Sequence, residues 1–242
     1  MSTAAQVAEL VQPFLERNPS CKLLGRMVVL TPVQHFARGI FIDRSSTKGE
    51  IVPSWFVWTL FQPPPGYLGG FGGRLPQAFG WVDKPGIQQK LLDEMEIAHA
   101  DVLLPADSLA ALFDAATKAD GFDALHIATR AVLLAGLGRL DDALSDLGEH
   151  LDFSQKLNQM LDEHRRKHYR IGSRPWRRQA AMQAREQERM AALRLLQSLI
   201  RANDRAAVAA LLHQWEAGGV KQLKLGNFWT PTLFPIELGA GD

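Results

Sequence analysis

The chain has 242 residues, 46% hydrophobic and 22% charged, with a net charge of +1. That composition is ordinary for a folded protein of one large or two small domains and leaves no basis for extended disorder. A single cysteine, Cys21, excludes an internal disulfide and with it a disulfide-built secreted scaffold.

The N-terminus has no basic start followed by an apolar run, and no stretch reaches the ~18 apolar residues of a membrane span. The expectation is therefore a cytoplasmic protein without a membrane partner. The small net charge conceals an asymmetry. Residues 1–163 carry 13 Lys/Arg against 20 Asp/Glu, and residues 164–242 carry 14 against 6. Either the two parts attract each other in folding, or they present two different partner surfaces.

In chain order, Val7, Leu10, Val11, Phe14 and Leu15 recur at helical spacing and predict an amphipathic helix over 3–17, kinked or divided at Pro13. Three strands follow: Arg26–Thr31, Phe36–Asp43 and Trp55–Phe61, the last apolar on both faces and so central. Their connections are too short for crossover helices, which makes the sheet antiparallel. Residues 63–81 contain six glycines, but they lack the Gly-Lys-Ser/Thr ending of a phosphate loop and the GxGxxG spacing of a dinucleotide site. They read as a bent glycine-rich strand or wide hairpin at the sheet edge.

From residue 86 the period becomes helical. Ile87, Leu91, Met95, Ala98 and Val102 mark one helix. After Pro105, Asp107 or Ser108 caps a second, with Leu109, Leu112, Phe113 and Ala116 inward. Gly121 precedes a third, 123–137, apolar nearly all round and stopped by Gly138. Asp141 or Asp142 opens a fourth with Leu144, Leu147 and Leu151 inward, and a polar helix runs from Phe153 to about Arg170. Gly172-Ser173-Arg174-Pro175 breaks the chain. A helix over 178–202 presents Met182, Met190, Leu193, Leu196 and Ile200, a short helix over 205–217 ends at Gly218-Gly219, and the apolar tail packs as an extended segment. The fold class is α+β: an N-terminal antiparallel sheet with a flanking helix over 1–83, then an α-helical part over 84–242.

The chemistry of sites is sparse. His164 and His168 have a helical metal-binding spacing, but Arg165, Arg166 and Lys167 between them repel a cation. Cys21 has no base beside it, and acidic pairs such as Asp93-Glu94 and Asp141-Asp142 stand on helix surfaces. No catalytic residue, metal or cofactor is assigned. The pair ALHIATRAVLLAGLG and RLDDALSDLGEHL resembles one tetratricopeptide-type helix pair, yet a solenoid needs about three repeats and no second copy is present. Arg38 lies on an otherwise apolar strand face; it pairs with Asp43 or Glu50, or it faces a ligand groove near Trp55.

The segment HRRKHYRIGSRPWRR, residues 164–178, carries seven Lys/Arg beside Tyr169 and Trp176. Three readings stay open for Arg165, Arg166, Lys167, Arg170, Arg174, Trp176, Arg177 and Arg178: a solvated or internally paired helix, a surface for an acidic protein, or a nucleic-acid contact. The order of HFARGIFIDRSS, WFVWTLFQP, LLDEMEIAHADVLLPADSLAALFDAA, GLGRLDDAL and LLHQWEAGGVKQLKLGNFWTPTLFPIEL resembles bacterial α+β proteins of uncharacterised function, a group with members similar to toxin-neutralising immunity proteins. That resemblance implies no catalytic residue and a protein that acts by binding another protein.

Overall fold

In the computed structural model, which describes residues 3–66, 69–118 and 127–239, one helix precedes an antiparallel sheet and helices follow it, an α+β architecture. Residues 3–60, 69–118 and 223–232 form one compact unit; residues 61–66, 127–222 and 233–239 form another.

The first unit opens with α1 (Ala4–Arg17). Thr3 and Gln6 exchange side-chain-to-backbone hydrogen bonds in a capping box, and Val7, Leu10, Val11 and Phe14 are buried. The helix runs through Pro13 as one element, not two turns. Pro13 leaves the Glu9 carbonyl without its helical donor, and Gln88 Nε2 donates to that oxygen at 3.4 Å.

The strands β1 (Cys21–Leu24), β2 (Met27–Leu30), β3 (Phe36–Arg44), β4 (Glu50–Thr59) and β5 (Gly69–Arg74) neighbour each other in sequence order, all antiparallel. A short β6 (Gly80–Trp81) pairs with the start of β4. β1, which the periodicity does not announce, is joined to β2 by Gly25-Arg26, with Gly25 at φ +63°. β4 starts five residues before the predicted Trp55 and so contains Pro53. The missing donor of Pro53 falls between Ile51, which pairs with β6, and Ser54, which pairs with β5.

The glycine-rich run forms the edge strand β5. Gly70, Gly72 and Gly73 stand opposite Trp58, Phe56 and Trp55. A Cβ at Gly70 would lie 2.0 Å from the Val57 carbonyl oxygen, and one at Gly73 2.6 Å from Trp55 Nε1. The glycines thus serve close strand approach under large rings.

Next comes α2 (Ile87–Ala98), continued by a π-type turn over His99–Leu103. The wider turn inserts one residue into the buried stripe, so Leu103 is buried where Val102 was expected. In α3 (Leu109–Lys118) the cap is Ser108, whose Oγ accepts from Ala111 N at 3.1 Å. Residues 226–232 return to this unit: Thr230 N donates to Val33 O, and Val33 N to Phe228 O, each at 2.8 Å.

In the second unit α4 (Ile127–Gly136) is buried on nearly every side, as its composition predicts, and Gly138 turns the chain at φ +83°. The Gly121 break and the start of the predicted third helix lie outside the described residues. α5 (Leu140–His168) is one 29-residue helix where two were expected. The Arg130 guanidinium forks onto Asp146, with Nε 2.6 Å from Oδ2, and ties α4 to α5.

α6 (Arg174–Arg201) starts earlier than 178: Ser173 caps it and Pro175 occupies its first turn, where a missing N–H costs nothing. α7 (Arg205–Leu223) continues through Gly218-Gly219, which were expected to close it. That makes seven α-helices among the described residues. Phe61 meets Phe234 edge-on at 5.0 Å in the core of this unit.

Candidate functional site

The basic segment occupies the far end of a helical hairpin made by α5 and α6. Gln183 Nε2 donates to Asn158 O at 3.4 Å and Asn158 Nδ2 to Met190 Sδ at 3.2 Å, tying the two helices together. Nearer the turn, Arg165 lies over the Trp176 ring at 5.0 Å. Arg165 also pairs with Asp162, and Arg166 reaches the other Asp162 oxygen at 2.6 Å.

Asp162 therefore partners two of the eight predicted residues, and Trp176 is half-buried as part of the hairpin's own packing. The remaining cations differ. Lys167, Arg170, Arg174, Arg177 and Arg178 are exposed and make no ion pair among the described residues. Of the first reading, a solvated or internally paired helix, internal pairing describes Arg165 and Arg166 and solvation describes these five.

The electrostatics of these five charges add up. Those at the end of α5 complement its C-terminal dipole, whereas Arg174, Arg177 and Arg178 sit in or just after the first turn of α6, which holds no acidic residue. There the positive end of the helix dipole adds to their positive potential. A groove of about 1030 Å³ is lined by Tyr169, Arg174, Pro175, Arg177, Arg178 and Met182. Two large apolar side chains stand in solvent at the same end, Ile171 at 80% exposure and Met182 at 61%. Met182 was expected in the buried stripe of α6; Gln183 takes that place. The sequence signal that locates the groove is Ser173 followed by Pro175, a helix start that puts Arg174, Arg178 and Met182 on one face.

Arg38 and Trp55 belong to the other unit. Arg38 stands opposite Val57, and Trp55 opposite Ile40, so the two side chains share one face of the sheet. The partners of Arg38 are neither Asp43 nor Glu50. Its Nη1 donates to the carbonyls of Leu103, at 2.7 Å, and of Leu104 and Ala106. Leu103 ends the π-type turn and Leu104 and Ala106 follow it, so Arg38 caps the C-terminal end of that element. Burial lowers the Arg38 pKa and Asp107 opposes that shift. Trp55 covers Gly73 and meets Phe71 edge-on at 5.7 Å. Both residues are engaged in holding the sheet unit together.

Other reactive groups are enclosed. The Cys21 thiol is buried, and desolvation pushes its pKa up to about 11. His150 is buried in α5 with Ser154 Oγ 3.4 Å from its Nε2, and desolvation lowers its pKa to about 4. The His164 and His168 rings are 4.3 Å apart, and no group of three metal-ligating side chains occurs among the described residues. No helix there is long and apolar enough to cross a membrane.

No protein-family model, curated protein or solved structure matches this chain.

Proposed function

We propose that this protein is a non-enzymatic binder of another protein, and that the contact is the basic end of the α5–α6 hairpin meeting an acidic surface. The observation that carries the reading is the mixture at that end: three cations without ion pairs, Arg174, Arg177 and Arg178, line a groove with exposed Met182, and exposed Lys167, Arg170 and Ile171 lie nearby in the chain. Protein interfaces use apolar anchors ringed by charge. A phosphate backbone uses the charge and leaves the apolar side chains without a role. The layout likeness to immunity proteins makes an acidic toxin domain one form of such a partner. A single nucleic-acid strand is the second reading, favoured by Tyr169 standing in the groove beside three arginines.

The test compares wild-type chain with the triple variant Arg174→Glu, Arg177→Glu, Arg178→Glu as bait in native lysate, with and without nuclease. A stoichiometric protein held by wild type, resistant to nuclease and lost from the variant supports the first reading. Capture abolished by nuclease transfers the site to nucleic acid. A partner held equally by the variant removes this surface.

A further inference from the structure

The hollow where α4 meets α5 holds an unmet polar group. Its volume is about 350 Å³, and it is lined by Ile127 of α4 and by Glu149, His150, Asp152, Phe153 and Lys156 of α5. Spacings of three, four and seven place these α5 positions on one stretch of helix surface. His150 sets the hollow apart from a dimple in that surface. Its ring is 6% exposed. Ser154 Oγ lies 3.4 Å from Nε2, but Nδ1 is buried without a hydrogen-bond partner. A buried polar atom left unpaired is uncommon in a folded chain, because it gives up its bond to water and gains none. The ring that carries this atom lines the hollow, so a ligand seated there can supply the missing bond.

The walls narrow the chemistry of that ligand. Desolvation keeps the ring neutral at pH 7, so Nδ1 calls for an uncharged hydrogen-bonding group and not for an ion. A hydroxyl both donates and accepts, and therefore satisfies Nδ1 in either tautomer. Ile127 and Phe153 offer apolar walls to a flat ring. At the mouth, exposed Glu149 and Asp152 outnumber exposed Lys156, while nearby Arg130 is forked onto Asp146. The mouth thus favours a cation. We propose that the hollow binds a small phenolic amine, with its ring against Ile127 and Phe153, its hydroxyl on His150 Nδ1 and its ammonium at Glu149 and Asp152. A volume of about 350 Å³ stands at the small end of ligand pockets, in keeping with one ring and a short side chain. None of these residues belongs to the basic end of the hairpin, so the proposal does not depend on the binding role given to that end.

The experiment is calorimetric titration of the full chain with tyramine at neutral pH, joined to the imidazole nitrogen resonances of His150. Saturable binding at one site is expected, with a shift of the Nδ1 resonance. Phenethylamine, which lacks the hydroxyl, should bind about tenfold more weakly, as should p-cresol, which lacks the ammonium. Glu149→Gln with Asp152→Asn, both at exposed positions, should weaken tyramine about tenfold and leave p-cresol unchanged. Phe153→Ala should weaken all three ligands. Absence of tyramine binding up to millimolar concentration overturns the proposal. So does equal affinity for tyramine and phenethylamine, tyramine binding indifferent to the paired carboxylate substitutions, or a His150 ring whose resonances do not move on saturation.

Discussion

His150 makes the stability of the helical unit depend on pH in a window that can be stated in advance. Its ring is buried in α5, at 6% exposure, and its pKa falls from 6.5 to about 4. Desolvation is the main cause, and the charge of Arg189 adds to it. In the unfolded chain the ring takes up a proton near pH 6.5; in the folded chain it does so only near pH 4. Between these values the unfolded state binds more protons, so unfolding free energy falls as pH falls. The slope approaches about 1.4 kcal/mol per pH unit from this one group, and the whole window is worth about 3 kcal/mol. Above pH 6.5 the contribution is constant, and below pH 4 it levels off. Urea unfolding of wild type and His150→Gln, measured from pH 7.5 down to pH 4, isolates it by difference. The wild-type curve should fall toward that of the variant by about 3 kcal/mol across the window. Parallel curves would show that the ring titrates alike in both states, and would refute a desolvated His150.

Three further outcomes follow from the sheet unit. Arg38→Leu removes the donor from three carbonyls and should destabilise by about 2–4 kcal/mol in urea unfolding; a variant as stable as wild type would return Arg38 to the role of a ligand-facing group. Gly70→Ala places a Cβ 2.0 Å from the Val57 carbonyl oxygen, so it should cost about 1–3 kcal/mol and speed amide exchange in β5 and the adjoining part of β4, with no such change if the strands sit further apart. Cys21, buried and with its pKa raised to about 11, should react with a disulfide reagent at pH 8 only as fast as the unit opens; complete labelling of native protein within seconds would contradict its burial.

The sheet was legible because its signals are local. Alternation over Phe36–Asp43, the doubly apolar Trp55–Phe61 and short polar connections suffice for antiparallel strands beside a central one. The glycines were legible as an edge strand, though not their reason, since their pairing with Trp55, Phe56 and Trp58 depends on register. β1 escaped because four residues, CKLL, give too little periodicity. The ends of α6 and α7 were misplaced for opposite reasons. Pro175 reads as a breaker but sits in a first turn, where proline fits. Gly218-Gly219 read as a stop, but Val220 is buried and the helix runs on to Leu223, so its packing outweighs a propensity cost of about 1 kcal/mol per glycine.

α5 explains why the helical part was only partly legible. Hydrophobic periodicity assumes that apolar residues face inward. On α5 the buried positions include Asp146, His150 and Ser154, while Phe153, Leu157 and Met160, further along the helix, are exposed. Asp146 is admitted because Arg130 forks onto it, and His150 because it stays neutral. Phe153 and Leu157 stand seven residues after Asp146 and His150, on the same face of α5, so their exposure reflects where along the helix its neighbours end and not how the helix is turned. Arg130→Met with Asp146→Leu keeps the volume and deletes the pair, so folding stability should change little, whereas Arg130→Met alone leaves a buried carboxylate and should cost about 3 kcal/mol. Equal losses in the two variants, read by urea unfolding, would refute the account in which the stranded carboxylate carries the cost.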